Sequence, residues 1–213
     1  MRTEDLIDQL SARVPRLSRQ AGPRRLLAGV GGGTLAALVI LLVVYGLRPD
    51  LATAGGTVPF WMKWAFTVSL AVAAFAIVRR LARPEGRIGA AWIALATPLV
   101  IVAALGVLEL GASPPEAWMT LWIGRTAARC SSAIVLLSAP TLVGLLWSLQ
   151  RLAPTRPVSA GAAAGVLAGA AGAAVYALTC PEQTAVFMAT WYTGGIALTG
   201  VLGGLLGGRL LRW

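Results

Sequence analysis

Residues 26–46 form one uninterrupted apolar run, LLAGVGGGTLAALVILLVVYG, which decides the fold class. The run contains no charged side chain, and a helix of this length spans the roughly 30 Å hydrocarbon core of a bilayer. Arg24 and Arg25 precede it, and Arg48 follows shortly after it. The run is therefore predicted to be a membrane-spanning helix. It is longer than the apolar region of a cleavable signal peptide, so we expect it to stay in the protein.

Five more apolar runs of similar length follow along the chain. Together with the first, they predict six spans at residues 26–46, 60–78, 88–108, 130–149, 159–178 and 187–206. The composition agrees, because the chain is 57% hydrophobic and 12% charged, whereas a soluble domain carries about 25% charged residues. The sequence therefore predicts an all-α integral membrane protein. Its six-helix bundle covers residues 26–213 and follows a polar tail over residues 1–25.

The basic residues are distributed unevenly over the connections between these spans. Of the 18 Lys and Arg residues, 14 lie on the side that holds both chain ends and 4 on the other side. Because positively charged segments stay in the cytoplasm, we expect both termini to be cytoplasmic. The same asymmetry accounts for the net charge of +10, since basic residues on the cytoplasmic side of a bilayer need no nucleic acid as a partner. We therefore expect contact with the lipid bilayer and no direct contact with nucleic acid.

The composition excludes several kinds of catalytic site. The chain has no histidine and only two cysteines, which removes Ser-His-Asp and Cys-His nucleophilic sites and His-ligated zinc and haem. The only lysine, Lys63, lies near the end of a span, where its side chain is expected to reach the aqueous interface. No ionisable residue lies near the middle of a span, where ion-coupled transporters usually place one. We expect neither enzyme activity nor a cofactor.

The fifth and sixth spans carry glycines at a spacing of four residues, which places each set on one face of its helix. Glycine ridges of this kind let two helices approach closely in lipid. We therefore predict that these two spans pack against each other. The ridges consist of Gly161, Gly165 and Gly169 in the fifth span and of Gly200, Gly204 and Gly208, together with Gly203 and Gly207, in the sixth.

The polar tail has the pattern of a short amphipathic helix. Thr3 is a suitable N-cap, and Glu4 and Asp5 place negative charge in the first turn. An isolated helix of this length is marginal in water, and an acidic start disfavours binding along a membrane surface. A partner groove that accepts i, i+4 anchors would stabilise it. Alternatively, the tail packs on its own membrane domain or has no fixed structure. The apolar stripe consists of Leu6, Ile7, Leu10, Val14 and Leu17.

The two cysteines are predicted to lie on the same side of the membrane. Cys130 begins the fourth span and Cys180 follows the fifth, so the charge count places both thiols on the periplasmic side. An oxidising compartment permits a disulfide, and two thiolates could instead bind a soft metal with Glu182 as an oxygen ligand. We interpret Cys130 and Cys180 as a signal-sensing pair. A static disulfide and two unrelated residues remain as alternatives.

Several short motifs along the whole chain resemble the NrsF-type membrane anti-sigma factors. These proteins are negative regulators of an extracytoplasmic-function sigma factor in Gram-negative bacteria. The motifs are Thr3-Glu4-Asp5-Leu6-Ile7, Leu47-Arg48-Pro49-Asp50-Leu51, Phe60-Trp61-Met62-Lys63, Ala153-Pro154-Thr155-Arg156-Pro157, Cys130 with Pro140, Cys180-Pro181-Glu182, Thr190-Trp191-Tyr192 and Gly208-Arg209-Leu210-Leu211-Arg212-Trp213.

The resemblance implies a multi-pass protein of the bacterial inner membrane whose cytoplasmic tail holds a sigma factor. Carried over by position, it assigns sigma-factor binding to Thr3, Glu4, Asp5, Leu6, Ile7 and Leu10, and signal sensing to Cys130 and Cys180. Members of the family often have His before the second cysteine, where this chain has Thr179, which disfavours a mixed Cys/His metal site. A thiol-dependent membrane oxidoreductase and a small-solute transporter are the alternative functions.

Overall fold

The computed structural model describes residues 21–83, 86 and 88–212. The predicted tail helix, including Thr3, Glu4, Asp5, Leu6, Ile7 and Leu10, lies outside these residues. Within the described part of the chain, all regular secondary structure is helical. The helices are α1 (Ala21–Val44), α2 (Leu51–Ala54), α3 (Val58–Leu81), α4 (Ala91–Gly111), α5 (Trp118–Ile123), α6 (Ala127–Gln150), α7 (Pro157–Tyr176), α8 (Ala185–Phe187) and α9 (Thr193–Leu210).

Six helical segments are long and apolar enough to cross a membrane, and they coincide with the six predicted spans. Five are α1, α3, α4, α6 and α7. The sixth is continuous from Ala185 to Leu210, because a π-helical turn at Met188–Tyr192 joins α8 to α9. Large aliphatic side chains on these helices point outward, among them Val43 and Val58, which are each 80% exposed. An outer surface of this kind suits lipid, so the six-helix membrane fold is confirmed.

Helix α7 lies at the centre of the bundle, where it packs against α9, α6, α3 and α1. It is rich in Ala and Gly, and these small side chains allow four neighbours to approach its backbone. The closest approach is to α9. A Cβ added at Gly203 would lie 2.8 Å from the Cα of Gly165, and one at Gly207 would lie 2.7 Å from the Cα of Gly161. The predicted contact between the two glycine ridges is confirmed.

A second glycine contact, which the sequence did not predict, joins α1 to α6. A Cβ at Gly29 would lie 2.8 Å from the carbonyl oxygen of Gly144, and the reverse substitution would produce an equally short contact. Near the same end of α6, the Ser148 hydroxyl donates to the carbonyl of Arg25 at 3.2 Å. The last turns of α6 are therefore fastened to the first turns of α1.

The alternating direction of the long helices brings six helix ends together at one end of the bundle. We name this the thiol end: there α1, α4 and α7 finish, and α3, α6 and α8 begin. The charge distribution predicts that this end faces the periplasm.

Candidate functional site

The structure brings Cys130 and Cys180 together at the thiol end. Cys130 lies in the first turn of α6, and Cys180 lies in the connection between α7 and α8. Both side chains are fully buried in the same apolar cluster, and both are free thiols. The two thiols are neighbours, and Cys130 is near enough to lower the pKa of Cys180. Two cysteines that are 50 positions apart in the sequence thus form one site.

Two cationic side chains converge on the main-chain carbonyl of Cys180. The Lys63 ammonium donates to this oxygen at 3.1 Å, and Nη1 of Arg48 donates to it at 3.3 Å. Arg48 is also held by Asp50, with Nε to Oδ1 at 2.8 Å and Nη2 to Oδ2 at 2.6 Å. The Asp50 carboxylate raises the pKa of Arg48 through these hydrogen bonds, and Arg48 lowers the pKa of Asp50.

The position of Lys63 differs from the sequence-based expectation. The side chain does not reach the aqueous interface but is 1% exposed. Lys63 lies in the second turn of α3, and the carbonyl that it contacts belongs to a residue 117 positions later. The tertiary contact replaces the water that the ammonium group would otherwise seek at the interface.

The surroundings of Cys180 favour a thiolate at this position. The hydrogen bond from the Cys130 thiol, followed by the positive charge of Lys63, lowers the pKa of Cys180 to about 6, against the opposing effect of burial. The sulfur of Cys180, which lies in the connection outside the spans, is therefore acidic for a buried cysteine. Thiolates are the nucleophilic and metal-binding form of cysteine.

An aromatic group encloses the pair. Tyr192 is fully buried, and its ring centroid lies 6.1 Å from that of Tyr176 and 6.5 Å from that of Phe187. Its hydroxyl makes no hydrogen bond of ordinary geometry, although it is close enough to the Cys180 sulfur to stabilise negative charge there. Tyr192 closes the π-helical turn, an irregularity that is frequent at functional sites.

Glu182 joins the Cys180 connection to the start of the Cys130 helix. Its Oε1 accepts the main-chain N–H of Arg125 at 2.7 Å and the hydroxyl of Thr126 at 3.2 Å. The preceding residue, Gly124, has φ +54°, and a Cβ there would lie 2.6 Å from Oε2 of Glu182. Only glycine at this position lets the carboxylate lie against the turn that leads into α6.

Three further hydrogen bonds hold the same two segments together. The Thr184 hydroxyl donates to the carbonyl of Leu121 at 3.1 Å. The Trp191 indole donates to the carbonyl of Trp122 at 2.8 Å, and the Ser131 hydroxyl donates to the carbonyl of Trp191 at 2.8 Å. A change in the geometry of the cysteine pair would therefore strain the start of α6 and the π-helical turn together.

The two cysteines have no further protein ligands beside them with which to form a metal site. Among the residues that the structure describes, no group of three or more His, Cys, Asp and Glu side chains is placed to hold a metal ion. Glu182, the predicted oxygen ligand, directs its carboxylate to Arg125 and Thr126. The two thiols alone remain as candidate ligands.

The residues surrounding the cysteines were the part of the site that sequence reasoning missed. Lys63 and Arg48 were assigned to span ends and to the charge count, and Tyr192 had no assigned role. Two sequence signals mark these residues. Lys63 is the only lysine in the chain and falls within an apolar span, and Arg48, Lys63 and Tyr192 all lie in motifs that carry the family resemblance. The partner of this lysine could not be read from the sequence, because the contact is long-range.

The fold and this site define a class: a polytopic α-helical membrane protein with a buried thiol pair at one end of its bundle. A family model described as "NrsF: Negative regulator of sigma F" matches residues 10–213. The chain belongs to this family.

Two curated relatives match over the full length of both chains. The anti-sigma-F factor NrsF of Caulobacter vibrioides (strain NA1000 / CB15N) is 41% identical over 214 residues. The probable anti-sigma-F factor NrsF of Azospira oryzae (strain ATCC BAA-33 / DSM 13638 / PS) is 37% identical over 213 residues. No solved structure matches the chain.

Proposed function

We propose that this protein is an inner-membrane anti-sigma factor that sequesters an extracytoplasmic-function sigma factor and releases it when a periplasmic signal acts on Cys130 and Cys180. Membership of the NrsF family and the names of its relatives support the regulatory role. The observation that carries the sensing role is the proximity of two fully buried free thiols at the thiol end of the bundle.

The tail over residues 1–25 is the proposed docking segment. Its N-cap and acidic first turn, Thr3, Glu4 and Asp5, would start the helix. Leu6, Ile7 and Leu10 would enter an apolar groove of the sigma factor. A sigma factor held at the membrane in this way cannot join RNA polymerase. With 14 of the 18 basic residues on the side of the chain ends, the tail is expected to face the cytoplasm, where the sigma factor is found.

Helix α6 is the proposed link between the two ends of the protein. Cys130 lies in its first turn, whereas Gly144 and Ser148 contact Gly29 and Arg25 of α1 near its other end. Helix α1 directly follows the tail in sequence. A helix that moves as a rigid element would carry a displacement at the thiols to the base of the tail.

Co-purification of the full-length protein with its sigma factor tests the docking segment. The variant Leu6→Asp/Leu10→Asp places two charges on the apolar stripe, and Ser11→Asp/Ser18→Asp introduces the same two charges outside it. We expect the first variant to lose the sigma factor and the second to retain it. Equal retention by both variants would refute the docking role of the stripe.

Sigma-dependent transcription in cells tests the sensing role. Cys130→Ser and Cys180→Ser variants that insert normally should fail to induce transcription under the stress that induces the wild type. Ser132→Ala changes a neighbouring small side chain on α6 and serves as a control with normal induction. Normal induction in both cysteine variants would refute the sensing role while leaving sequestration intact.

A further inference from the structure

The charge of Lys63 requires a partner at the thiol end. Its ammonium is buried and donates to the carbonyl of Cys180 at 3.1 Å, and no carboxylate in the described part of the chain forms an ion pair with it. Burial of an uncompensated ammonium group is costly. Glu182 attracts Lys63 more weakly than Cys180 does and is itself bound to Arg125 and Thr126. The two cysteine sulfurs are the remaining acidic groups near this charge, and that of Cys180 attracts Lys63 more strongly than that of Cys130.

The two sulfurs of the pair have different environments. The carbonyl of Cys180 receives the Lys63 ammonium at 3.1 Å and Nη1 of Arg48 at 3.3 Å. Its sulfur is approached by the Tyr192 hydroxyl, which makes no ordinary hydrogen bond elsewhere. Cys130 lies in the first turn of α6, and neither of these two cations donates a hydrogen bond to it. One sulfur is thus arranged as a nucleophile and the other as a proton-bearing neighbour, which is the division of roles in cysteine pairs that react with oxidants.

We propose that Cys180 is the nucleophilic sulfur and Cys130 the resolving thiol of a pair that a hydroperoxide oxidises to a disulfide, and that Lys63 is the positioning residue that keeps the Cys180 sulfur anionic. The regulatory role of this oxidation rests on the proposed function. The oxidation itself involves residues of the membrane domain only.

The reaction proceeds in two balanced steps. The Cys180 thiolate attacks the distal oxygen of ROOH, the O–O bond breaks, and RO⁻ leaves and takes up a proton, giving Cys180–SOH and ROH. The Cys130 sulfur then attacks the sulfur of this sulfenic acid, and its own proton leaves with the hydroxyl group as water. In total, two thiols are oxidised to one disulfide, and the hydroperoxide is reduced to ROH and water.

A metal cation is the competing ligand for the same two sulfurs. Lys63 already brings a positive charge to the carbonyl of Cys180, whereas the charge of Arg48 is paired with Asp50. A divalent cation at the thiols would therefore be repelled by the unpaired ammonium group. The described residues also offer no third protein ligand. Both features favour a small neutral oxidant over a cation.

Trapping of the sulfenic acid tests the assignment of the two sulfurs. Purified full-length protein in lipid nanodiscs is treated with hydrogen peroxide and dimedone, and the adduct is located by peptide mass spectrometry. Wild-type protein should lose two hydrogens and form the disulfide. Cys130→Ser should carry dimedone on Cys180, and Cys180→Ser should leave Cys130 unlabelled. Labelling of Cys130 in the Cys180→Ser variant at the rate seen for Cys180 would overturn the assignment.

Substitution of Lys63 tests the positioning role. Lys63→Met keeps the length of the side chain without its charge, and we expect the peroxide oxidation rate at pH 7 to fall about tenfold or more. Lys63→Arg retains the charge and should restore most of the rate, which a purely structural contact would not require. An unchanged rate in a folded Lys63→Met protein would overturn the role of Lys63. If that variant does not fold, the dimedone experiment still decides the assignment of the sulfurs.

Two measurements separate this chemistry from the proposed function and from metal binding. Oxidation that proceeds as described while the sigma factor stays bound would support the chemistry and refute the sensor role. Equilibrium dialysis with Zn²⁺ should give no stoichiometric binding to the reduced protein. Binding of one tightly held Zn²⁺ that both Cys→Ser variants abolish would overturn the preference for an oxidant.

Discussion

The carboxylate of Glu182 accepts the main-chain N–H of Arg125 at 2.7 Å. This hydrogen bond ties the connection that carries Cys180 to the turn from which the Cys130 helix starts. The two cysteines are therefore held together through main-chain geometry as well as through their own side chains. This contact fixes the separation of the two thiols, and it gives the first of four predictions.

Removing the Glu182 carboxylate should destabilise the thiol end. Glu182→Ala removes the acceptor of the Arg125 N–H at an exposed site, where water can take its place, so the loss should cost about 0.5–1.5 kcal/mol. Glu182→Gln keeps an acceptor oxygen and should be milder. Thermal unfolding followed by tryptophan fluorescence measures both. Glu116→Gln, which changes an exposed carboxylate in the 3₁₀ turn at Pro115–Ala117, is the control that should leave the transition unchanged.

Gly124→Ala should reproduce part of this effect by a different cause. Gly124 has φ +54° and ψ −157°, a region that residues with a Cβ populate at a cost of about 1–3 kcal/mol. The new Cβ would also lie 2.6 Å from Oε2 of Glu182. The same unfolding measurement should show a lower transition temperature. In contrast, Gly111→Ala adds a methyl group that meets no atom within 4 Å, and an equal loss in this control would contradict the explanation.

Gly203→Ala should weaken the contact between α7 and α9. A Cβ there would overlap the carbonyl oxygen of Gly161 and lie 2.8 Å from the Cα of Gly165, so the two helices would have to separate. Gly31→Ala on α1 is the matched control, because its Cβ would meet nothing within 4 Å. Size-exclusion chromatography after heating in detergent should show earlier loss of the monodisperse peak for Gly203→Ala alone. Equal behaviour of the two variants would argue against a tight glycine interface.

The reactivity of Cys180 should depend on pH with a midpoint near its lowered pKa. Hydrogen bonding from Cys130 and the charge of Lys63 lower this pKa to about 6, so the thiolate predominates above that pH. As the pH falls through about 6, the sulfur gains a proton and its rate with methyl methanethiosulfonate should fall about tenfold per unit. The rate is measured by peptide mass spectrometry.

The Cys130→Ser variant provides the comparison for the pH profile. The serine hydroxyl replaces the thiol donor and changes the hydrogen bond to Cys180, so the midpoint should shift, whereas Ser132→Ala should leave it in place. A wild-type midpoint near the ordinary value of about 8.5 for a free cysteine would show that Cys180 is not stabilised as a thiolate.

The sequence predicts some features of the fold and not others. The six spans follow from runs of apolar residues, since membrane insertion depends on local hydropathy and length. The contact between α7 and α9 also follows, because glycines four residues apart mark one face of each helix. The contact between Gly29 and Gly144 was not predicted, because span one carries further glycines, such as Gly31, that face no neighbour.

For the candidate site, the charge count on the connections predicts that Cys130 and Cys180 lie at the same end of the bundle, and the structure places them there in contact. The sequence could not predict the groups that surround them. From its position near a span end, the Lys63 side chain could either reach the aqueous interface or be buried in the bundle. It is buried because it finds a hydrogen-bond acceptor 117 residues away in the sequence. Glu182 likewise has no local partner that would mark its role.

The sequence by itself therefore determined the membrane fold, its number of spans, its expected orientation and the shared end of the two cysteines. These properties depend on hydropathy, charge and periodicity, which are sums over neighbouring residues. Only the tertiary structure decided that α7 is central, that α6 is fastened to α1, and that Lys63 is buried against Cys180. Such choices depend on which helix faces meet, and the energy of a buried charge or a close backbone contact is fixed by the partner that the fold supplies.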